Sequence, residues 1–389
     1  MAGRALLASV LVLPLAACAG GGEPASDEAA PPATERAAPT ERDEPRRELV
    51  LGEPEVLAAG LEVPWGVAFL PGGDIVVTER PGRVRVVVDG ELHDAPAGEV
   101  ADVVDSGEGG LLGVAVPPDF EETRSIYLYY TAAGGNRVSR FEFGDELTLG
   151  DEQVLLDGLP AATFHNGGGL AFGPDGMLYV TVGDAGRPEL AADPRSPAGA
   201  ILRLTPDGRV PEDNPHGDSP VWSTGHRNAQ GLAWDGEERL YASDHGPSGE
   251  FGLCCRDELN LVERGAFHGW PNRAGGERTG ETVEAPGDAV DPVATSGPDT
   301  TWAPGGVAVD PASRSVLLTN LAGEQLLRFA LADGDPARVA ETETVLEGYG
   351  RLRAVVRGPD DCFYVTTSNR DGRGSPAAED DRLLRLCPA

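Results

Sequence analysis

Residues 164–184 read FHNGGGLAFGPDGMLYVTVGD, and from Leu170 onward this stretch decides the fold. An apolar segment is followed by a Gly-Pro-Asp-Gly turn and then by a second apolar segment. Glycine, proline and aspartate suit the backbone angles of tight turns, so the pattern predicts two short antiparallel strands. His165 stands before the first of these strands, where an imidazole is a candidate general base.

Similar strand–turn–strand units occur six times along the chain. They cover residues 65–77, 110–130, 170–182, 230–242, 306–319 and 355–365. Many units are followed by a third apolar strand, such as 83–88 or 325–329. Repeats of four short strands, roughly 40 to 50 residues each, are typical of β-propeller blades, and long amphipathic helical patterns are absent. The sequence therefore predicts an all-β, six-bladed propeller with four-stranded antiparallel blades.

The segment 55–60 predicts how the ring closes. Residues 153–159 and 343–349 each precede a repeat and have the pattern of an outer strand of the blade before it. Residues 55–60 have the same pattern but lie before the first repeat. We therefore expect this segment to complete the last blade, which ties the two chain ends together and removes an open sheet edge.

Residues 1–18 have the pattern of a lipoprotein signal. Arg4 supplies a positive charge, Leu6 begins an apolar core too short to span a bilayer, and the lipobox Leu-Ala-Ala-Cys ends at Cys18. The pattern predicts cleavage before Cys18 and lipid on its thiol. An ordinary secretory signal with a chance cysteine is the alternative.

The rest of the chain divides into a tether and one large domain. Residues 19–47 are rich in alanine, proline and acidic side chains and are expected to be disordered, whereas residues 48–389 are long enough for one closed β domain. The predicted location is extracytoplasmic, with the protein anchored to the cell membrane by its lipid alone. The formal net charge of -33 argues against nucleic-acid binding and against charge-driven binding to anionic lipid.

Four cysteines follow Cys18. Cys362 begins a strand of the last repeat and Cys387 ends the next strand, so an antiparallel hairpin would place them opposite each other. Export permits disulfides, and we expect this pair to form one. Cys254 and Cys255 are adjacent, and they either form a vicinal disulfide or stay reduced. Zinc-binding spacing of the CxxC type is missing.

Seven short motifs carry a resemblance to a known family. They are GEGGLLG (107–113), the His165 stretch with Gly-Asp at 183–184, GHRNAQG (225–231), DHGP (244–247), DELNL (257–261), HGWP (268–271) and RLR (351–353). In this order, on six propeller units, they resemble the glucose/sorbosone dehydrogenase family, the soluble PQQ-dependent aldose sugar dehydrogenases. The resemblance covers roughly residues 50–387. It implies oxidation of aldose sugars at the anomeric carbon to lactones, with electrons passed to a respiratory or artificial acceptor.

The resemblance also implies roles for individual residues. His165 would be the general base for the anomeric hydroxyl, and Asp184 would hold its other ring nitrogen. Arg227 and Asn228 would hydrogen-bond the quinone oxygens of PQQ. A structural histidine at a strand start, and a polar lock between blades for Arg227 and Asn228, are the alternatives.

The cofactors implied are PQQ and calcium. Arg351 and Arg353 would pair with the PQQ carboxylates, unless they are only surface arginines at a strand start. One calcium would be held by the backbone carbonyls of Gly246 and Pro247 and would polarise the quinone. A second calcium would bind Glu258 and the carbonyl of His268, although an exposed acid at a loop end is as good an interpretation of Glu258.

The chain departs from the family pattern at several positions. Glu108 stands where well-characterised members carry glutamine against the cofactor, and a carboxylate there is unfavourable beside anionic PQQ unless it binds metal or is protonated. A lysine expected near Ala322 is missing, and Ala354 replaces the usual aspartate. The loop holding Cys254 is longer than in the simplest members and is expected to cover the mouth. These departures keep open a non-catalytic propeller that binds carbohydrate or a protein partner, and, more weakly, a calcium-dependent lactonase.

Overall fold

The computed structural model describes residues 47–389. The predicted signal at 1–18, the lipid site at Cys18 and all but the last residue of the tether lie outside the described residues. Among the residues described, no helix is both long and apolar enough to cross a membrane. The propeller blades account for almost all of the regular secondary structure in 47–389.

The prediction of six antiparallel blades is confirmed. The chain enters through strand β1 (Glu55–Ala58), which belongs to the last blade. Blade 1 contains β2 (Pro64–Phe69), β3 (Ile75–Glu79), β4 (Arg83–Val88), β5 (Glu91–Leu92) and β6 (Gly98–Glu99). Blade 2 contains β7 (Leu111–Ala115), helix α1 (Phe120–Thr123), β8 (Ser125–Ala132), β9 (Gly135–Phe143) and β10 (Leu149–Leu159). Blade 3 contains β11 (Leu170–Phe172), β12 (Leu178–Val182), β13 (Ala200–Leu204) and β14 (Val221–Thr224).

The second half of the ring follows the same order. Blade 4 contains β15 (Ala229–Trp234), β16 (Leu240–Asp244), β17 (Glu258–Val262) and β20 (Ala294–Thr295), and its insertion forms a hairpin of β18 (Arg273–Ala274) and β19 (Glu277–Arg278). Blade 5 contains β21 (Pro304–Asp310), β22 (Ser315–Asn320), β23 (Gln325–Ala332) and β24 (Asp335–Glu347). Blade 6 contains β25 (Leu352–Arg357), β26 (Phe363–Thr367) and β27 (Leu383–Leu386). Short 3-10 turns lie at Pro188–Leu190 and Glu250–Gly252.

Strand β1 closes the ring as the sequence predicts. It pairs antiparallel with β27, with Val56 opposite Leu384, and so supplies the outer strand of blade 6. Cys362 and Cys387 form a disulfide in the same blade, with sulfurs 1.99 Å apart. The two ends of the propeller are therefore joined by backbone hydrogen bonds, next to a covalent link inside blade 6.

Glycines in the inner strands let neighbouring blades approach closely. A Cβ on Gly113 would lie 2.2 Å from the carbonyl oxygen of Gly168, and one on Gly306 would lie 2.3 Å from the backbone nitrogen of Val355. The six inner strands therefore pack backbone to backbone around the axis. The apolar clusters lie between blades, where Tyr129 of β8 and Val180 of β12, for example, belong to one buried cluster.

Candidate active site

One end of the propeller collects the predicted site residues. In each blade the inner strand begins at the end where the second strand finishes, because the two are antiparallel. We call this end the mouth. It carries the segments before β7, β11, β15 and β25 and the segments after β12, β16 and β26. These segments contain Glu108, His165, Arg227, Asn228 and Arg351, and Asp184, Gly246, Pro247 and Asp371.

His165 and Asp184 form a buried pair at this mouth. The Nδ1 atom of His165 lies 2.7 Å from Oδ1 of Asp184, and both residues are buried. The other oxygen of Asp184 accepts a hydrogen bond of 2.9 Å from the indole Nε1 of Trp270. His165 adopts a φ of 57°, in the left-handed region that few side chains occupy. The carboxylate thus orients the imidazole and leaves Nε2 as the ring nitrogen available to a substrate.

Arg227 is held beside the histidine by a carboxylate that the sequence analysis missed. Its Nη2 lies 2.6 Å from Oε1 of Glu250, and the same oxygen lies 4.0 Å from Nε2 of His165. The guanidinium also lies over the Trp270 ring at 5.7 Å. Its Nε is buried and has no hydrogen-bond partner. Arg227 is therefore a buried cation with unused donor capacity at the mouth.

Asn228 joins two blades. Its Oδ1 accepts a hydrogen bond of 2.9 Å from the backbone N–H of Gly167, which precedes blade 3. Its own backbone N–H donates to Asp244 at 2.8 Å. The side-chain oxygen of Asn228 thus serves as a polar lock between blades, whereas Arg227 reaches the mouth.

Arg351 and Arg353 face a shared carboxylate, that of Asp371. Oδ2 of Asp371 lies 2.9 Å from Nε of Arg351 and 3.9 Å from Nη2 of Arg353, and all three side chains are buried. Nη1 of Arg353 donates to Gln230 at 3.2 Å, across the axial cavity that both residues line. Burial, with the repulsion of Arg351, lowers the pKa of Arg353 to about 10 despite the opposing charge of Asp371. Two guanidinium groups share one carboxylate, which leaves an excess of positive charge suited to an anionic ligand.

The negative charge of Glu108 is balanced by partners that the sequence did not reveal. Its Oε2 accepts a hydrogen bond of 3.0 Å from the backbone N–H of His165, and its Oε1 lies 2.9 Å from Nη1 of Arg373. Burial opposes the charged form, but His245 when protonated, the His165 N–H and Arg373 outweigh it and lower the pKa of Glu108. The carboxylate is therefore ionised and paired with an arginine from blade 6, rather than protonated.

The first implied calcium position lies at the turn after β16. The backbone N–H of Gly246 donates to Oδ1 of Asp257 at 2.9 Å, and the carbonyl of Pro247 accepts from the N–H of Cys255 at 2.8 Å. A carbonyl oxygen has two lone pairs, so Pro247 retains one for a cation. The two carbonyls are hard oxygen donors of the kind that calcium prefers.

The second implied calcium position is a buried group of oxygen atoms. Glu258 is buried rather than exposed, and its two oxygens accept from the Gly275 N–H at 2.6 Å and from Asn260 at 3.0 Å. Burial, then the nearby charge of Asp244, raise the pKa of Glu258 to about 8. Oδ1 of Asn260 is buried with no hydrogen-bond partner. A buried carboxylate and an orphaned carbonyl oxygen fit a hard cation. The ring of His268 stacks on His226 at 4.7 Å, and neither of its nitrogens has a hydrogen-bond partner.

The residues 248–256 form a loop over the mouth, which we call the mouth loop. Cys254 and Cys255 form a vicinal disulfide at its end. Glu250 and Phe251 lie at its centre, within a short 3-10 turn. The extra length of this segment was the only sequence signal of Glu250, since a lone acid in a loop has no characteristic pattern.

Fold and site together define a class of protein: a six-bladed propeller with a histidine–carboxylate pair and buried arginines at one end of its axis. A family model described as Glucose / Sorbosone dehydrogenase matches residues 61–385, and the chain belongs to this family.

Individual relatives are similar over most of their length. An aldose sugar dehydrogenase of Escherichia coli, YliI, is 32% identical over 345 residues, which cover 82% of this chain and 90% of the relative. An uncharacterized protein of Synechocystis is 36% identical over 366 residues, covering 82% of this chain and 86% of its own length. The structure of the PQQ-bound form of an aldose sugar dehydrogenase from Streptomyces coelicolor superposes with a TM-score of 0.77 at 40% identity, covering 86% of this chain and 97% of that chain.

Proposed function

We propose that this protein oxidises aldose sugars at the anomeric carbon to lactones, using PQQ and calcium. The observation that carries the proposal is the buried contact of 2.7 Å between Nδ1 of His165 and Asp184. This contact supports the proposal because it occupies Nδ1 and leaves Nε2 as the nitrogen that would act as the general base. Membership of the glucose/sorbosone dehydrogenase family supports the same reaction class.

The residues of this chain supply the proton chemistry. Nε2 of His165 takes the proton of the anomeric hydroxyl, and Asp184 stabilises the imidazolium that results. The indole of Trp270 holds the other carboxylate oxygen at 2.9 Å, so the carboxylate cannot rotate away from the ring. PQQ, when bound, supplies the acceptor for the hydride from the anomeric carbon, and calcium supplies Lewis acidity.

The mouth fits an anionic cofactor. Arg351 and Arg353 are both buried with only one carboxylate between them, and Arg227 has an unpaired buried N–H. These three arginines would hold the carboxylates and quinone oxygens of PQQ, with Asn228 beside Arg227. The carbonyls of Gly246 and Pro247 would hold the calcium.

The N-terminal pattern leads to a second part of the proposal. We infer that the protein is exported and anchored to the cell membrane through lipid on Cys18, with residues 19–47 as a tether. The lipobox and the acidic, proline-rich segment after it support this location. Mass spectrometry of the membrane fraction should find lipid on the residue 18 thiol, and C18A should release the protein from that fraction.

The experiment that tests the catalytic proposal combines binding and turnover. Calorimetric titration of the purified protein with PQQ should show tight binding that requires calcium and weakens in R351A. Dye reduction with aldoses should then follow cofactor loading and be lost in H165A while PQQ still binds. No PQQ binding with or without calcium would refute the proposal.

A non-catalytic carbohydrate-binding propeller is the second candidate. It is favoured by the ion pair of 2.6 Å between Glu250 and Arg227, because Arg227 is the residue expected to reach the cofactor. It is also favoured by the missing lysine near Ala322. Sugar binding without any PQQ binding in the same titration would select this candidate.

A further inference from the structure

The mouth loop is an ordered element. Ser248 and Cys254 form a β-bridge, and the N–H of Gly249 donates to the Leu253 carbonyl at 2.8 Å. The loop base is joined to the turn after β16 by the Cys255 N–H, which donates to the Pro247 carbonyl at 2.8 Å. These contacts hold the loop in one position over His165.

The loop places one carboxylate against the reacting end of the site. Oε1 of Glu250 lies 4.0 Å from Nε2 of His165 and 2.6 Å from Nη2 of Arg227. Oε2 accepts the backbone N–H of Ser248 at 2.6 Å. The side chain keeps 32% of its exposure, so a ligand can reach it. Burial opposes its charge, but Arg227 outweighs that effect and lowers the pKa of Glu250, which keeps it anionic.

Two exposed aromatic rings pack on residues of the same site, Trp270 and His165. Phe251 is 37% exposed and packs on Trp270 with ring centroids 5.4 Å apart. Phe164 is 43% exposed and contacts the His165 ring at 4.6 Å. Exposed aromatic side chains beside a polar group often mark a ligand site. The apolar faces of a pyranose ring fit such a surface, and its hydroxyls require acceptors between the rings.

This inference rests on the proposed function. We propose that the mouth loop recognises the sugar, with Glu250 binding the substituent on C2 of an aldose whose anomeric hydroxyl lies on Nε2 of His165. Two acceptors 4.0 Å apart can each take a hydrogen bond of about 2.7–2.8 Å from the neighbouring hydroxyls of a vicinal diol. Phe164 and Phe251 would flank the ring.

The chemistry of Glu250 sets the substrate class. A carboxylate accepts a hydrogen bond from a C2 hydroxyl and pairs with a C2 ammonium group. A 2-deoxy sugar has no donor on C2 and therefore forms neither of these interactions with the carboxylate. Aldoses with a free C2 hydroxyl or amino group should therefore be preferred over their 2-deoxy counterparts. A hydrogen bond to a charged group corresponds to about 10- to 100-fold in kcat/KM.

The test compares glucose, 2-deoxyglucose and glucosamine in the PQQ-loaded protein and in the variants E250A, E250Q and E277Q. The glucose to 2-deoxyglucose ratio of kcat/KM should fall about 10-fold or more in E250A. E250Q should keep part of that ratio, through its amide oxygen. It should lose the preference for glucosamine over 2-deoxyglucose, because it has no charge to pair with the ammonium group. Glu277 lies outside the mouth loop and pairs at 3.1 Å with Arg256, which belongs to it. E277Q is therefore the matched control, and it should keep the preference for glucose and for glucosamine over 2-deoxyglucose. The intrinsic reactivity of each sugar cancels in these comparisons. An unchanged ratio in E250A would overturn the proposal.

A readout without cofactor separates this proposal from the proposed function. Saturation-transfer NMR of the cofactor-free protein should show binding of glucose that is weaker for 2-deoxyglucose and is weakened by E250A. Circular dichroism checks that each variant is folded. If no aldose is oxidised but this Glu250-dependent binding is present, the recognition role stands and the dehydrogenase proposal fails. If sugar binding is absent, or identical in E250A, the recognition role is refuted.

Discussion

The indole Nε1 of Trp270 donates a hydrogen bond of 2.9 Å to Oδ2 of Asp184. Asp184 follows β12 in blade 3, whereas Trp270 belongs to the insertion of blade 4. The bond leaves Oδ1 of Asp184 for His165 and the Gly186 N–H, and it ties the insertion to the His165–Asp184 pair. The orientation of the imidazole therefore depends on a segment that lies 86 residues beyond Asp184 in the chain.

This arrangement predicts a graded loss of turnover. D184N should lower kcat about 10³- to 10⁴-fold, because an amide supports neither the correct tautomer nor the imidazolium. W270F should lower kcat about 10-fold, because it removes one hydrogen bond that orients the carboxylate. Steady-state dye reduction in PQQ-saturated protein measures both effects. Equal activity of D184N and the unmodified protein would contradict the role of Asp184 in orienting His165 and stabilising its imidazolium.

Asp371 should stabilise the folded protein strongly when no cofactor is bound. D371N leaves Arg351 and Arg353 as buried cations without a carboxylate, which should lower the free energy of unfolding by about 3 kcal/mol. Chemical unfolding followed by intrinsic fluorescence measures this change. D361N removes an exposed partner of Arg357 and should change stability by less than about 0.5 kcal/mol. PQQ should stabilise D371N more than the unmodified protein, because the ligand would replace the missing anion.

Blade 6 predicts a further stability effect. The Cys362–Cys387 disulfide closes a segment with a sequence separation of 25 in the blade that β1 completes. Replacing both cysteines by alanine should lower the free energy of unfolding by about 3 kcal/mol, since the unfolded chain regains the entropy of that loop. Unfolding under non-reducing conditions gives the value. When the unmodified protein is reduced first, its free energy of unfolding should match that of the double variant.

Much of the fold was predictable from local patterns. The six strand–turn–strand units and the β1-like segment at 55–60 are periodic, so their pairing follows from the repeat itself. The hydroxyls that link blades were missed, although they recur at one strand position. Thr78 of β3 donates to the Leu112 carbonyl of the next blade, and Thr319 of β22 donates to the Arg353 carbonyl. A threonine in a strand is too common for that role to be seen in one sequence.

The site was predictable only where a motif carries it. His165 and Asp184 lie in recognisable motifs, and the structure brings them together. Glu250 lies in an irregular loop, and the partner of Glu108 is Arg373, 265 residues away. Such contacts depend on ring closure and on loop conformation, which one sequence does not encode in any local pattern.

The lowered pKa of Glu108 predicts how stability depends on pH. The pKa of folded Glu108 is lower than its ordinary 4.5, so the unfolded chain binds more protons near that pH. The stabilisation is therefore present above pH 4.5 and lost as the pH falls through the lowered pKa. The unmodified protein should exceed E108Q in free energy of unfolding by about 1 kcal/mol at pH 7. The difference should shrink as the pH falls below 4.5 and through the lowered pKa of Glu108, as measured by unfolding at a series of pH values. A difference that grows on acidification would contradict the assigned charge state.

Glu108 also predicts a gain in cofactor affinity from a single substitution. E108Q removes one negative charge from the mouth and leaves the cation of Arg373 beside the site, so anionic PQQ should bind about 5- to 10-fold more tightly. Titration calorimetry at constant calcium measures the change. The double variant E108Q/R373A removes both charges, and its affinity should return toward that of the unmodified protein. Weaker PQQ binding in E108Q would contradict this prediction. It would show that Glu108 contacts the cofactor or its metal favourably and does not repel PQQ.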